Sequence, residues 1–529
     1  MRQIGFKNFR RFENFPSIDL SPITIFVGEN NAGKSTVVKG ILALSDFLNR
    51  WMDDFDFLIG VRYKKSGHEI KAAIVDYLKN QKFYFNTSYL AHIGTFKRAL
   101  YYKAKSNVIS FFTKLGLQDL TIDVCGDRDN EEVVSGVISR ICLDYQSFGI
   151  HIEFDLQNDS AVVTFRPVNV SAEGIEYPSS KRRFRGESFL NTIDKTYELK
   201  YNISDYFPRF APELISALTA SVEIAISACM DIEKTNEYIG IEMLNKLKPI
   251  ESVDEETVEF FKQYTASVCD NRRGGKWIFR LPETRLIRNL FSIEYLYAHA
   301  VTQTVIYSAK DTNDYLSRTI HEFASMPKSD DDYQRAFITQ WMKEFGIGQD
   351  YRITSVGGEA HIVKIQNKDE EWVNLSDKGM GSIQLMVLLF RLAITLPKLT
   401  STGDGNRGNI IIPQSSRIII IEEPEQNLHP MLQSKLADLL FDLYQKYGYC
   451  FIIETHSEYL IRKTQVIVKE NFNDIRRSLK DNPFKVFYFN SSDSENPCYE
   501  IIYQKDGSFS NDFCKGFFDE ASNLAFEIL

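Results

Sequence analysis

The sequence predicts an α/β fold whose central sheet is built from the two ends of the chain, around a large mixed α/β insertion. Three stretches carry that prediction. GENNAGKST at 28–36 follows the apolar run 23–27 directly and leads into a helical run from 36 to about 51. RIIIIEEPEQNLHP at 417–430 has four consecutive isoleucines, the mark of a buried strand, ending in Glu422 and Glu423. CFIIETHSEYL at 450–460 is a second apolar strand, with Glu454, Thr455, His456 and Ser457 at its tip. About 380 residues separate the first stretch from the second, too many for neighbouring strands joined by an ordinary loop. The intervening chain must loop out and return.

The first stretch fits G-x-x-x-x-G-K-[ST], with Gly28, Gly33, Lys34 and Ser35 in the fixed places. In such a loop the glycines let successive backbone N–H groups converge on phosphate oxygens. Lys34 reaches the β/γ-phosphates, and Ser35 offers a hydroxyl to Mg²⁺ at a helix start whose dipole favours anions. Asn30, Asn31 and Thr36 belong to the same binding loop. The plain alternative is a Gly-rich turn carrying a solvated lysine. The strand before the motif and the helix after it favour the phosphate loop.

Hydrophobic residues at 43% and charged residues at 25% are ordinary for a globular chain, and 529 residues suffice for sizeable cores. No apolar run reaches about 18 residues; the best, 383–396, is interrupted by Arg391. With no signal pattern at the N-terminus, a cytoplasmic protein without a membrane partner is expected. The seven cysteines are scattered without C-x-x-C, so neither a disulfide framework nor a zinc site is indicated. His321-Glu322 lacks the second histidine of H-E-x-x-H. A net charge of −9 argues against nucleic-acid binding by the whole surface. The basic clusters 181–185 and 272–276 leave DNA or RNA open as partners; the alternative is solvated loops.

Within the insertion, 150–168 alternates about a polar turn at 157–160 and reads as a hairpin. Residues 214–247 and 255–268 read as helices, the second opened by acidic residues. No repeat or long heptad pattern is present, so a compact insertion is expected. Near the C-terminus, 485–490 and 499–504 read as strands, followed by an aromatic-rich end expected to dock on the core.

One further segment precedes the carboxylates: NLSDKGMGSIQLMVLLFRLAITLP, 374–397. Gly379 and Gly381 stand just before a helix-period apolar run, where a backbone can approach a phosphate at a helix N-terminus. In this order the set resembles the ABC-type ATPase head shared by SMC, RecF and OLD-like proteins. Residues 28–35 are similar to Walker A, 376–384 to a divergent signature motif, 418–423 to Walker B, 424–430 to the D-loop, and His456 to the switch histidine. Glu-Glu-Pro-Glu followed by Leu-His-Pro resembles the OLD-like, prokaryotic AAA family branch. The opening FKNFRRF, the segment 295–316 and the tail 516–529 look like phage-defence ATPases of that branch, such as the Septu ATPase subunit. The resemblance covers about 50 residues at the start and about 240 at the end. It divides the chain into head residues 1–50, an insertion 51–290, and head residues 291–529. The departures are Glu422 where Asp is commoner, Asp377-Lys378 inside the signature, and HIGTFKRAL at 92–100 in the place of a glutamine loop.

The resemblance implies ATP and Mg²⁺ as ligands and a homodimer in which two heads sandwich two nucleotides. Each site takes Walker A from one subunit and Ser376, Gly379 and Gly381 from the other. Ser35 and Glu422 would hold the metal side, Glu423 would position the attacking water, and His456 would sense the γ-phosphate. Plainer readings are a strand-end histidine at 456, a helix cap at Glu425 for the helix from 431, and a solvated or phosphate-directed Arg10 or Arg11.

The expected function is an ATP-hydrolysing sensor and motor subunit of a prokaryotic antiviral system, working with a separate effector, a nuclease. The alternatives are a RecF/SMC-type DNA-repair or chromosome-maintenance ATPase and a scaffold that hydrolyses ATP hardly at all. Only about 70 residues follow His456, fewer than the roughly 100 of a nuclease domain. A nuclease inside the insertion is a further alternative, since the carboxylates Asp123, Asp127, Asp129, Glu131 and Glu132 crowd one expected loop there.

Overall fold

A computed structural model describes residues 3–62, 80–87, 92–115, 118–146, 149–167, 193–202, 254–268, 293–296, 304–308, 310, 314–326, 332–397, 418–472, 478–491, 496–513, 518 and 527. The chain opens with β1 (Gln3–Phe9), β2 (Phe12–Asp19) and β3 (Ile23–Gly28), then helix α1 (Lys34–Arg62). Next come β4 (Lys82–Tyr84), the short α2 (Phe96–Ala99), β5 (Val108–Leu115), β6 (Gln118–Cys125), β7 (Ser135–Tyr145), β8 (Ile150–Asp155), β9 (Ser160–Phe165), β10 (Tyr197–Asn202) and α3 (Glu255–Val268). The remainder is β11 (Ile293–Leu296), β12 (Tyr307–Ser308), α4 (Tyr315–Ser325), α5 (Tyr333–Glu344), β13 (Asp350–Val356), β14 (Ala360–Gln366), β15 (Trp372–Asn374), α6 (Met380–Thr395), β16 (Ile418–Glu422), α7 (Pro430–Tyr447), β17 (Cys450–Glu454), α8 (Glu458–Phe472), β18 (Phe484–Phe489) and β19 (Cys498–Ile501).

Contacts group the chain into two units, residues 1–19 with 36–291 and residues 20–35 with 292–529. Strands β1 and β2 pair with each other, and β1 pairs antiparallel with β5, so the first strands belong to the sheet of the first unit. Only 20–35, which holds β3 and the Gly-rich loop, groups with the C-terminal part.

The first unit is an antiparallel sheet in the order β10-β9-β8-β7-β6-β5-β1-β2, with β4 on β7. Its core is aromatic. Phe6 lies 5.2 Å from Phe9 and 5.7 Å from Phe111, and Phe83 stacks on Phe111 at 4.7 Å. The expected hairpin is β8–β9, paired from Ile150↔Phe165 to Asp155↔Ser160. The expected helix at 255–268 is α3; residues 214–247 and both basic clusters lie outside the described residues. Asp123 is not in the acidic loop. It sits on β6, 2.7 Å from Arg140. Asp127 and Asn130 instead cap local turns through the amides of Asp129 and Glu132, and Glu131 bonds Lys97 at 2.5 Å. Across β7 and β8, Cys142, His151 and Glu153 come together, although their spacing in sequence indicates no metal site. Arg140, 3.5 Å from Glu153, already supplies a cation there.

The second unit has a sheet in the order β11-β16-β17-β3-β18-β19. All pairings are parallel except β18–β19. Strands β3, β16 and β17 are buried along most of their length, as near-continuous apolar runs require of a sheet covered on both faces. Helices α6, α7 and α8 supply Leu389, Leu440 and Ile461 to that core. Arg391, which interrupts the apolar run of α6, forms ion pairs with Glu294 and Glu322. A smaller antiparallel sheet, β12-β14-β13 with β15 on β14, precedes α6. Helix α1 outruns its expected end near 51, with no proline to stop it. Among the described residues no helix is long and apolar enough to cross a membrane.

Candidate functional site

Three adjacent parallel strands, β16, β17 and β3, deliver their carboxyl ends to one edge of the sheet, where open α/β sheets place ligands. At that edge β3 ends in Gly28, whose φ is +131°. A Cβ there would lie 2.1 Å from the Phe489 carbonyl oxygen of β18, so only glycine lets the loop leave the sheet at this point. Asn31 and Gly33 also take positive φ, at 60° and 109°, curling the loop before α1 begins at Lys34. Asn30 is exposed and Thr36 half-buried. Glu29 fastens the loop's flank by accepting from Ser491, and its own amide donates to the Phe489 carbonyl at 3.2 Å.

Lys34 is 3% exposed. Its Nζ donates to the carbonyls of Gly28 at 3.0 Å and Glu29 at 2.8 Å, wrapping the loop around the ammonium. Burial lowers the Lys34 pKa, against the pull of Glu454, Glu423 and Glu29. Ser35 Oγ donates to Glu454 Oε1 at 2.9 Å. Glu454 is the last residue of β17, in register with Glu422 on β16. It is 5% exposed, and its Oε2 is buried without a hydrogen-bond partner. Burial, with Glu422 next in weight, pushes its carboxyl up to about 7.

Glu423 follows the strand in a left-handed conformation, φ +44°, unusual for a residue with a Cβ and worth about 1–3 kcal/mol of local strain. Its amide donates to the Glu454 carbonyl at 2.7 Å, and its carboxylate accepts from Gln426. His456 Nε2 lies 4.0 Å from Glu423 Oε1. Burial and then Lys34 lower the His456 pKa, while Glu423 pulls it up.

Glu425 does not cap the helix that follows. His429 caps α7 through Nδ1, which accepts from the Met431 amide at 3.3 Å, with Pro430 at the first helical position. Glu425 instead reaches the next strand. Its Oε1 accepts from the His456 amide at 2.6 Å, and its Oε2 is buried without a partner. Ser457 opens α8 by accepting from the Leu460 amide at 3.1 Å, and donates to Gln433 at 2.6 Å. Gln433 in turn donates to the Leu428 carbonyl at 3.0 Å, so the segment after β16 and the histidine strand are one bonded assembly.

The Gly-rich start of α6 has two glycines with different causes. At Gly381 a Cβ would meet the Asn427 carbonyl oxygen at 2.5 Å, so close packing against the segment after Walker B explains this glycine. At Gly379, the N-cap of α6, an added Cβ meets nothing within 4 Å. Ser376 bonds Asp377 at 3.3 Å, and Lys378 anchors the turn on the Ile347 carbonyl at 3.0 Å. Gln384 bridges to the Walker B side, receiving Asn427 Nδ2 at 3.4 Å. Among the described residues no hydrogen bond or ion pair joins Ser376, Gly379 or Gly381 to the loop at 28–36.

Lys34, Ser35, Glu422, Glu423 and His456 are thus brought to one edge, with Glu454 and Glu425 beside them. The set fits a phosphate chain with a divalent cation: a cradle closed to any Cβ at Gly28, a buried ammonium, a helix start, and a buried carboxylate oxygen without a donor. A cleft of about 320 Å³ between α5 and α7, lined by Trp341, Lys435 and Asp438, contains none of these residues.

No curated protein sequence matches the chain. Among solved structures, it is similar at 10% identity to the SMC head domain from Thermotoga maritima, with a TM-score of 0.32 over 95% of this chain and 100% of that one. An SMC head bound to the C-terminal winged-helix domain of ScpA gives 10% identity and 0.33, over 94% of this chain and 97% of that one. An SMC head with an extended coiled coil, bound to the C-terminal domain of ScpA from Pyrococcus furiosus, gives 10% and 0.31, over 100% and 98%. A family model described as "AAA ATPase domain" matches residues 1–461. With most of its length matched, and the phosphate loop and paired carboxylates together at one sheet edge, the chain belongs to the AAA ATPase domain family.

Proposed function

We propose that the chain hydrolyses ATP in an ABC-type head and serves as the sensor and motor subunit of a prokaryotic antiviral system with a separate nuclease as effector. One observation carries the hydrolytic reading: Lys34 and Ser35 of the loop lie at the same sheet edge as Glu422, Glu423 and His456. The defence role rests on the OLD-like form of 422–430, Glu-Glu-Pro-Glu with Leu-His-Pro.

Lys34 exchanges the carbonyls of Gly28 and Glu29 for β/γ-phosphate oxygens, which are better acceptors because they are charged. Ser35 and Glu422 hold Mg²⁺, which when bound neutralises charge on the phosphates. Glu423, held in position by its backbone bond to Glu454 and by Gln426, accepts a hydrogen bond from the attacking water. His456, within 4.0 Å of Glu423, contacts the γ-phosphate and registers its loss. Gly379, open on its Cβ side, faces the nucleotide of a second copy in an ATP-sandwiched homodimer.

Phosphate release by the purified chain with ATP and Mg²⁺, against Lys34→Ala as the control, tests the hydrolytic reading. Release no faster than the control, from a chain with an unchanged melting curve, removes hydrolysis. The defence reading is tested by phage plating on cells carrying the gene and its neighbours. Equal plating with wild-type and Lys34→Ala chains removes that role alone.

A further inference from the structure

Glu454 belongs to none of the roles assigned above, yet it is the side chain to which the loop serine is bonded. A serine hydroxyl that ligates a cation keeps its proton and must direct it away from the metal. Ser35 already does so: Oγ donates to Glu454 Oε1 at 2.9 Å, leaving its lone pairs for another partner. Glu454 also has an unused acceptor, because Oε2 is buried in a residue only 5% exposed and meets no donor. Its neighbour in register across β16–β17 is Glu422. An amide or a backbone carbonyl could accept from Ser35 equally well. What a carboxylate adds is negative charge at the point where Ser35 and Glu422 converge, and metal ligands are commonly oriented by such a partner.

We infer that Glu454 is a positioning residue for the divalent cation, orienting the Ser35 hydroxyl and directing its free carboxylate oxygen toward the cation's coordination shell. This rests on the ATPase reading given above. It adds a second acidic residue to the metal side, one that comes from the histidine strand β17 and not from β16.

The test separates nucleotide affinity from metal affinity. Binding of adenylyl imidodiphosphate without divalent ions is measured by calorimetry, and Mn²⁺ binding to the nucleotide complex by electron paramagnetic resonance. Glu454→Gln is expected to bind metal-free nucleotide within about twofold of wild type and Mn²⁺ at least about 10-fold more weakly, as when an outer partner of a metal ligand is lost. Glu454→Gln introduced on top of Ser35→Ala should weaken Mn²⁺ by a smaller factor than it does in the wild type, because Glu454 acts partly through Ser35. If Glu454→Gln fails to fold, Glu454→Asp retains the charge but withdraws it by one methylene, and Mn²⁺ should still weaken. Unchanged Mn²⁺ affinity in a folded variant with intact nucleotide binding overturns the assignment of Glu454 alone. A wild-type chain that binds no nucleotide overturns the ATPase reading and this assignment with it.

Discussion

The backbone amide of His456 donates to the buried Glu425 carboxylate at 2.6 Å, tying the strand that carries the histidine to the segment after Walker B. Glu425→Ala leaves that amide without its acceptor in a site where water is largely excluded, a cost of about 1–3 kcal/mol. The melting temperature should fall about 2–4 °C for each kcal/mol. Glu425→Gln keeps an oxygen acceptor and should lose less. Thermal melts of both variants check this, and an alanine variant as stable as the glutamine variant would show that the bond contributes nothing.

The same residue predicts a pH dependence. Burial raises the Glu425 carboxyl above its ordinary 4.5, while the bond from the His456 amide pulls it down. A raised acid contributes stability that is fully present below 4.5 and is lost as pH climbs through the folded value. Glutamine stays neutral throughout. The melting temperature of Glu425→Gln relative to wild type should therefore move in favour of the variant as pH rises from about 4.5. A difference constant with pH would mean that the carboxyl is not held above its usual range.

Two glycines provide a contrasting pair. Gly28→Ala forces a Cβ to within 2.1 Å of the Phe489 carbonyl at a φ of +131°, so it should disrupt the loop, lower the melting temperature and lose nucleotide binding. Gly379→Ala meets nothing within 4 Å and should melt like wild type and bind nucleotide normally. If Gly379 faces a second copy's nucleotide, this variant should still fail to form an ATP-dependent dimer. Light-scattering mass with and without ATP decides it, and normal dimerisation would remove Gly379 from the composite site.

These contrasts mark what the sequence could and could not disclose. Gly28, Lys34, Glu422, Glu423 and His456 were legible because each lies within a few residues of a strand end whose apolar run identifies it. The boundaries of β16, β17 and α3 follow for the same reason: local pattern decides them. The partner of Ser35 was not legible, since Glu454 is 419 positions away and meets it only once β3 and β17 pair. The helix cap offered as a plainer reading of Glu425 rested on sequence proximity to the helix after it, while the fold supplies an amide 31 residues on. The allotment of β1 and β2 was likewise invisible; they adjoin β3 in sequence, but hydrogen bonds carry β1 to β5.

Glu423→Gln should bind ATP and hydrolyse it at least about 10²-fold more slowly, because the amide is a far weaker acceptor for the water's proton. Slow turnover should also preserve the closed state, so the variant should accumulate a dimer of twice the monomer mass in ATP while the wild type does not. Single-turnover phosphate release and light scattering are the measurements. Turnover near wild type would transfer the catalytic role to another of the clustered carboxylates, Glu422 or Glu454.

The purified chain should leave DNA uncut with Mg²⁺ or Mn²⁺. In the acidic segment from 123 to 132, Asp123 pairs with Arg140, Glu131 with Lys97, and Asp127 and Asn130 accept from turn amides. In-line phosphodiester cleavage by metal requires carboxylates that converge on shared ions, and the ones gathered at the sheet edge surround the phosphate loop. Plasmid and linear DNA incubated with the homogeneous wild-type chain and with Glu423→Gln test this. ATP turnover is followed in parallel with and without DNA. Cleavage that depends on metal, co-purifies with the chain and survives the Glu423 change would place the effector within this polypeptide and remove the need for a separate nuclease. Turnover stimulated by DNA without cleavage would instead favour a repair or chromosome-maintenance role over defence.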